Sequence, residues 1–296
     1  MLDKIISKFK RKEDLTSLNH KSSKGELIYH YCNSIAFWSI CTNRSMWLSS
    51  IFNMNDTKEL IWGRDLLLDI LKNNKKLFPQ EFRMFIILSI YSVDGDLLPL
   101  IASFSKNDDL LSQWRAYADD AKGFSIGFCK NTMSNTLPVN MKNVSYNKKE
   151  QEELIFNSLV IFHKWWKKIK DNNLSIMTNT LLEFSMDLAS LKNPSFYEEQ
   201  EVRVIHLLTK NKDNNTWFDA GGHNSKEESI PGLPVLSRVS MSKDIPYINM
   251  PLTDQNSIQK VILGSKNPES IDSVREKLNS LGLSHVLVEK SLSTYQ

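Results

Sequence analysis

The stretch Phe196-Tyr197-Glu198-Glu199-Gln200-Glu201-Val202-Arg203-Val204-Ile205 decides how this chain is read. Two carboxylates stand two residues apart, and an apolar run follows them. In a strand, residues i and i+2 share a face. The spacing predicts Glu199 and Glu201 side by side, with Arg203 next in the row. Like charges that close repel, so one of the two pKa values is expected to rise. Such a row suits a functional site. It also suits a solvated strand edge on which Arg203 neutralises its neighbours, and the motif alone leaves both readings open.

Outward from this stretch, the apolar pattern alternates between strands and helices. Leu27–Tyr31, apolar and aromatic with no breaker, Met46–Ser50, Leu100–Ser105 and Gly123–Phe128, whose two glycines allow close backbone approach, read as strands. Asn33 or Ser34 is placed to cap a helix over 35–42, and Asp56 with Glu59 forms a capping-box pattern for a helix ending near Lys72. Further helices are expected over 80–91 and 108–118. From 148 to 191 the pattern is helical, and Ile155, Leu159, Phe162, Trp166 and Ile169 make one apolar stripe. A polar loop over 210–231, strands at 235–240, 245–250 and 258–264, a helix at 268–280 and a strand at 285–289 complete the chain. Strands at both ends and in the middle, with helices between them, predict an α+β fold with a mixed or antiparallel central sheet. The expected organisation is a basic N-terminal helix and linker over 1–24 and a single domain over 25–296, with helical insertions at about 57–95 and 148–191.

At 296 residues the chain is long enough to bury a sizeable core. Its net charge of +3 permits a nucleic-acid partner without demanding one. Cys32, Cys41 and Cys129 are odd in number and lack metal-ligand spacing, which points to reduced thiols and a cytoplasmic setting. The lysine-rich opening residues lack the apolar core of a signal peptide, and no stretch reaches membrane-spanning length. There is no Walker loop, GxGxxG, HExxH, paired CxxC or nucleophile elbow, so the NTPase, Rossmann, zinc-protease and esterase classes have no motif support.

Each remaining candidate has a structural reading beside a functional one. His30 is either a core histidine bonded to backbone or a donor to a ligand hydroxyl. Ser103 and Ser105 either end a strand or line a pocket floor that orients the carboxylates. Trp114 and Tyr117 lie three apart on a helix, so they are either core or a stacking surface for a flat heterocycle. Asn55, Asp56 and Glu59 form a helix cap or hold a divalent ion, with the cap preferred. In Lys164-Trp165-Trp166-Lys167-Lys168 the lysines either hold phosphates or form the solvated back of the apolar stripe, the second reading being preferred.

The order YHY, MWLSS-x-FNMND-xx-E, SFS, W-xx-YAD-xxx-GF-x-IGF, FYEEQEVRVI and I-xx-VILG, spread over 27–265, resembles a widespread bacterial family defined by a domain of unknown function. The family's pattern runs LYRY, FNDPxE, FS, MWxxYAxxHxGxxIGF, FxxExExR, IxxIxLG. This chain lacks its proline in Asn53–Thr57, its methionine before Trp114, and its histidine near Ala121-Lys122. That arrangement is in turn similar to ADP-ribosyltransferases, including DarT-type toxins that modify nucleic acid. Those enzymes carry a His or Arg on the first strand, a Ser or Tyr motif on a middle strand, and a Glu on a later one. His30, Ser103 to Ser105, and Glu199 with Glu201 follow the same order.

The resemblance implies NAD as substrate and no metal. Breaking the nicotinamide–ribose bond creates an oxocarbenium-like centre. Glu201 would bond the ribose 2′-hydroxyl and stabilise the developing charge, while Glu199, its pKa raised, would act on the acceptor. His30 would hold the adenosine-side ribose, and Tyr31 or Tyr117 would stack on nicotinamide. The implied protein is a toxin or antiphage effector acting on nucleic acid in preference to protein, with an antitoxin or inhibitor protein as a partner. Two alternatives remain. One is a non-catalytic binding module with Glu199 and Glu201 fully ion-paired and no open pocket beside His30. The other is a metal-dependent nuclease using Asp56, Glu59, Glu199 and Glu201.

Overall fold

The computed structural model describes residues 26–51, 58–135, 138–168, 174–240 and 242–295. The N-terminal segment 1–24, the Asn55 and Asp56 loop and the expected Asp56 cap lie outside them, as does the side chain of Glu59.

The chain opens with strand β1 (Leu27–Cys32), helix α1 (Ser34–Asn43), strand β2 (Ser45–Ser50), helices α2 (Lys58–Asn73) and α3 (Gln80–Asp96), and strand β3 (Leu97–Ser105). Helix α4 (Leu111–Tyr117), strand β4 (Phe124–Cys129), helix α5 (Lys130–Ser134) and strand β5 (Asn140–Asn143) follow. Two long helices, α6 (Lys148–Lys168) and α7 (Leu174–Leu188), lead through a 3-10 turn (Pro194–Glu199) to strand β6 (Glu201–Lys210). The rest comprises β7 (Trp217–Phe218), β8 (Gly222–His223), β9 (Ser229–Ile230), β10 (Leu236–Ser240), β11 (Lys243–Pro251), β12 (Ile258–Leu263), α8 (Ile271–Ser280) and β13 (Leu287–Lys290). The fold is α+β with a large mixed sheet. Strands run in the order β10-β11-β2-β3-β1-β4-β12-β13, with β6 also on β3 and carrying β5 and β7. Only β12 and β13 are parallel among the described pairs of that sheet.

Local chemistry explains several boundaries. The Asn33 side chain accepts from Ala36 N at 2.9 Å and starts α1; Ser270 accepts from Ser273 N at 3.1 Å and starts α8. Helix α4 begins at Leu111 and not at Asp108, because Asp109 is used elsewhere: its carboxylate accepts from Trp114 Nε1 at 2.6 Å, Ser291 Oγ at 2.6 Å and Leu292 N at 2.7 Å.

One sheet face carries the main core, including Ile28, Cys32, Leu48, Phe104, Ile126, Val202, Val204 and Ile248, closed by α1 and α8. A second cluster belongs to the helices: Leu67, Leu71, Phe82, Ile86, Ile155, Leu159, Phe162 and Phe184 pack together. Helices from both expected insertions therefore share one apolar interior. Trp165 and Trp166 pack against it, Trp166 lying 5.7 Å from the Phe82 ring, as the apolar stripe requires.

After α4 the backbone makes a left-handed turn, with φ of 48° at Asp119, 53° at Asp120 and 67° at Ala121. Two glycines beside it are pressed by backbone carbonyls. A Cβ on Gly123 would sit 2.1 Å from Cys32 O, and one on Gly264 would sit 2.1 Å from Ala121 O. Neither neighbour is a flexible side-chain end. Gly123→Ala is therefore expected to lower stability by about 1–3 kcal/mol, measured by urea denaturation, whereas Gly95→Ala, with open space around it, is expected to leave stability unchanged or raise it.

Candidate active-site cleft at a split in the sheet

Strand β6 runs along one edge of β3 from Leu97↔Thr209 to Ser105↔Glu201. The other edge of β3 is divided. Strand β2 pairs with Leu100 and Ile101, and β1 pairs with Ser105. Among the described residues no strand pairs with Ala102, Ser103 or Phe104 on that edge, so the sheet splits there. A cavity of about 390 Å³ lies at the split. Its walls are Tyr29, His30 and Tyr31 from β1, Trp47 and Ser49 from β2, Ile101 to Phe104 from β3, and Gln113 and Tyr117 from α4, with Lys192, Glu199, Glu201 and Arg238 supplying the charges.

Glu201 is the best-anchored group in this cleft. It is 5 % exposed. Its Oε1 accepts from Ser103 Oγ and Arg203 Nε, both at 2.7 Å. Its Oε2 accepts from Arg203 Nη2 at 3.1 Å and from Lys192 Nζ at 3.4 Å. Register explains the convergence: Ser103 lies opposite Arg203 across β3 and β6, and Ser105 lies opposite Glu201. Arg203 is itself pinned by a bond from Nη1 to Ala189 O. Burial pushes the Glu201 pKa up, but the Arg203 and Lys192 charges and the Ser103 hydroxyl outweigh it and hold the carboxyl down at about 2. Glu201 is thus an ionised, water-shielded carboxylate.

This corrects the expected pair. Glu199 and Glu201 are not neighbours on one strand face. Glu199 closes the 3-10 turn, Gln200 takes a left-handed φ of 43°, and the strand begins at Glu201. The two carboxylates meet through Lys192, whose Nζ donates to Glu199 Oε2 at 2.5 Å as well as to Glu201. The expected like-charge rise does not appear at Glu201, because cations separate the pair. Ser105 supports the turn from beneath, donating to Glu199 O at 2.9 Å and accepting from Asn107 N at 3.1 Å.

His30 arrives from the other face. Alternation along β1 puts it with Ile28 and Cys32, which belong to the main core, and its ring lies 5.7 Å from Phe104. Its Nδ1 lies 3.1 Å from Ser103 O, so it carries the proton and donates to a carbonyl on the edge of β3 that no described strand covers there. Burial lowers its pKa, which keeps the ring neutral. His30 thus bridges the split and is linked to Glu201 through the backbone and hydroxyl of Ser103.

The expected stacking residues differ from each other. Tyr31 is buried, its hydroxyl donates to Asn107 O at 3.0 Å and accepts from Leu110 N at 2.9 Å, and its ring meets Trp114 edge-on at 4.9 Å. These contacts anchor α4 and leave Tyr31 little freedom to receive a ring. Trp114 is fully buried. Tyr117 is 47 % exposed and stands at the mouth of the cleft.

Lys192, Trp47 and Arg238 are among the cleft residues that the sequence does not single out. Lys192 precedes the 3-10 turn, Trp47 is on β2 and Arg238 is on β10; nothing local in the sequence links them to Glu201. Trp47 follows the alternation of a half-exposed strand and carries no other local signal. Among the described residues no group of three or more His, Cys, Asp or Glu side chains is placed to hold a metal ion, and no helix is long and apolar enough to cross a membrane. The cysteines are free; burial raises the Cys32 and Cys41 pKa values, Cys41 to about 12.

Residues 113–204 match the family described as protein of unknown function (DUF2971). The matched stretch runs from Gln113 on α4 to Val204 on β6, so it includes Tyr117, Lys192, Glu199, Glu201 and Arg203, while Ser103 lies before it. The match supports kinship with a domain-of-unknown-function family over this part of the chain. No curated protein and no solved structure shows a significant match.

Glu201→Gln leaves Arg203 buried without its counter-charge and leaves Lys192 with Glu199 alone, and is expected to cost about 3–5 kcal/mol at pH 7. The folded pKa lies below the ordinary 4.5. The ionised carboxylate therefore contributes fully above that pH and loses its contribution as pH falls toward 2. The gap between wild type and variant in denaturation experiments should shrink over that interval.

Proposed function

We propose that the protein is an NAD-dependent ADP-ribosyltransferase acting on a macromolecular acceptor. One observation carries the reading: an ionised carboxylate, fixed by Arg203 and Ser103, borders a cavity of about 390 Å³ at a split in the sheet, with an exposed tyrosine at its mouth. A shielded and immobile negative charge is what an oxocarbenium-like centre needs, since the field is in place before the bond breaks. Glu201 stabilises the ribose cation as nicotinamide leaves. A ribose hydroxyl takes the place of Lys192, whose bond at 3.4 Å is the longest of the four. Glu199, half-buried at the rim, faces the acceptor. Tyr117 covers the nicotinamide, and His30 keeps the split open at a fixed width. NAD is the substrate, and no step requires a metal.

Nucleic acid is the preferred acceptor on the mild positive charge, ahead of a protein side chain. Such an activity fits a cytoplasmic toxin or antiphage effector held in check by an inhibitor protein.

The occupied lone pairs of Glu201 favour a second reading, a binding module that holds a nucleotide without turning it over. Labelled NAD mixed with RNA, DNA and protein separates the two. Transfer of label, reduced at least 100-fold in a folded Glu201→Asp variant whose carboxylate is displaced by one methylene, supports the transferase. A thermal shift with NAD but no transfer and no nicotinamide release supports the binding module. No transfer and no shift removes both; NAD at 100 times its dissociation constant would add roughly 3 kcal/mol of stability.

A further inference from the structure

The charges around the cleft do not cancel. Glu199 and Glu201 are matched by Lys192 and Arg203 at 2.5–3.4 Å. Arg238 is the surplus. It reaches the cavity from β10, beyond β11 and β2. Among the described residues no carboxylate pairs with it, and its buried Nε has no hydrogen-bond partner. Its guanidinium carbon lies over the Trp47 ring, 5.5 Å from the centroid. Tyr247 braces that ring from 4.7 Å. A guanidinium held over an aromatic face has fewer conformations to lose, and its N–H groups form a fork suited to a phosphate. A shielded cationic N–H without an acceptor is costly and rare unless a ligand supplies one.

We infer that Arg238, held in place by Trp47, is the phosphate-binding residue of the cleft, and that the ligand is a nucleoside diphosphate or a molecule containing one. Arg238 engages the phosphates and Trp47 acts as a positioning residue. This deepens the transferase reading and rests on it for the identity of the ligand, but it concerns binding alone. Loss of NAD turnover with retained nucleotide binding would defeat that reading and leave this one standing.

The test is calorimetric titration of the full chain with ADP, adenosine and a short single-stranded oligonucleotide. ADP should bind at least tenfold more tightly than adenosine. Arg238→Gln should weaken ADP by about 10- to 100-fold and leave adenosine unchanged, with Arg238→Lys recovering part of the loss. Trp47→Leu should weaken ADP, and Trp47→Phe should restore it in part. Because Arg238 has no anionic partner among the described residues, Arg238→Gln should melt at the wild-type temperature or above it. Equal affinities for ADP and adenosine, wild-type ADP affinity in Arg238→Gln, or a lowered melting temperature in that variant would overturn the assignment. Tighter, Arg238-dependent binding of the oligonucleotide than of ADP would overturn it in favour of a nucleic-acid backbone.

Discussion

A carboxylate almost excluded from water stays ionised only if its surroundings replace the water it has lost. Glu201 is stabilised in this way by Arg203, Ser103 and Lys192, and much of the cleft's architecture follows from that requirement. Arg203 stands two residues along the same strand, so Glu201 brings its principal counter-ion with it. Ser103 is supplied by register with β3. Lys192 comes from the segment ahead of the 3-10 turn and ties that turn to the strand. The backbone follows the same arrangement: Glu201 N donates to the Tyr146 hydroxyl at 3.0 Å, and Val144 N donates to Glu201 O at 2.9 Å. Removing any one partner leaves another charge or polar group uncompensated.

The split in the sheet turns this buried cluster into a cleft. Two strands share one edge of β3 and, among the described residues, leave Ala102 to Phe104 between them without a strand partner on that edge. A sheet interrupted in this way exposes backbone polar groups and needs something to satisfy them. His30 does so at Ser103 O while remaining neutral, and Phe104 packs its ring. Helix α4 closes one side, itself held by the Tyr31 hydroxyl and by Asp109, which also binds the residues after β13. The cleft therefore depends on contacts from segments far apart in the chain.

Legibility in the sequence varied with the range of the interaction. β1, β2, β4, β11 and β12 follow from apolar and aromatic runs, and α1 follows from Asn33, because those signals are local. The core stripe of α6 is likewise visible, and it packs Trp166 against the helical cluster. The paired-carboxylate row was misread because Gln200 adopts a left-handed conformation between the two glutamates. Asn193 followed by Pro194, a helix-start signal just upstream, was the clue that 194–199 would turn and not extend. The short strand β5 and helix α5 lack a strong periodic pattern. Lys192, Trp47 and Arg238 could not be joined to Glu201 without the order of strands, since that order is set by pairings across more than a hundred residues.

A crystal structure of the protein with ADP-ribose tests the central claim most directly. The account predicts the ligand in the split between β1 and β2, with a ribose hydroxyl within hydrogen-bond distance of Glu201 Oε2 and the diphosphate on the side of Arg238. Ligand bound away from the split, or a cleft that stays empty at saturating ligand, would contradict it.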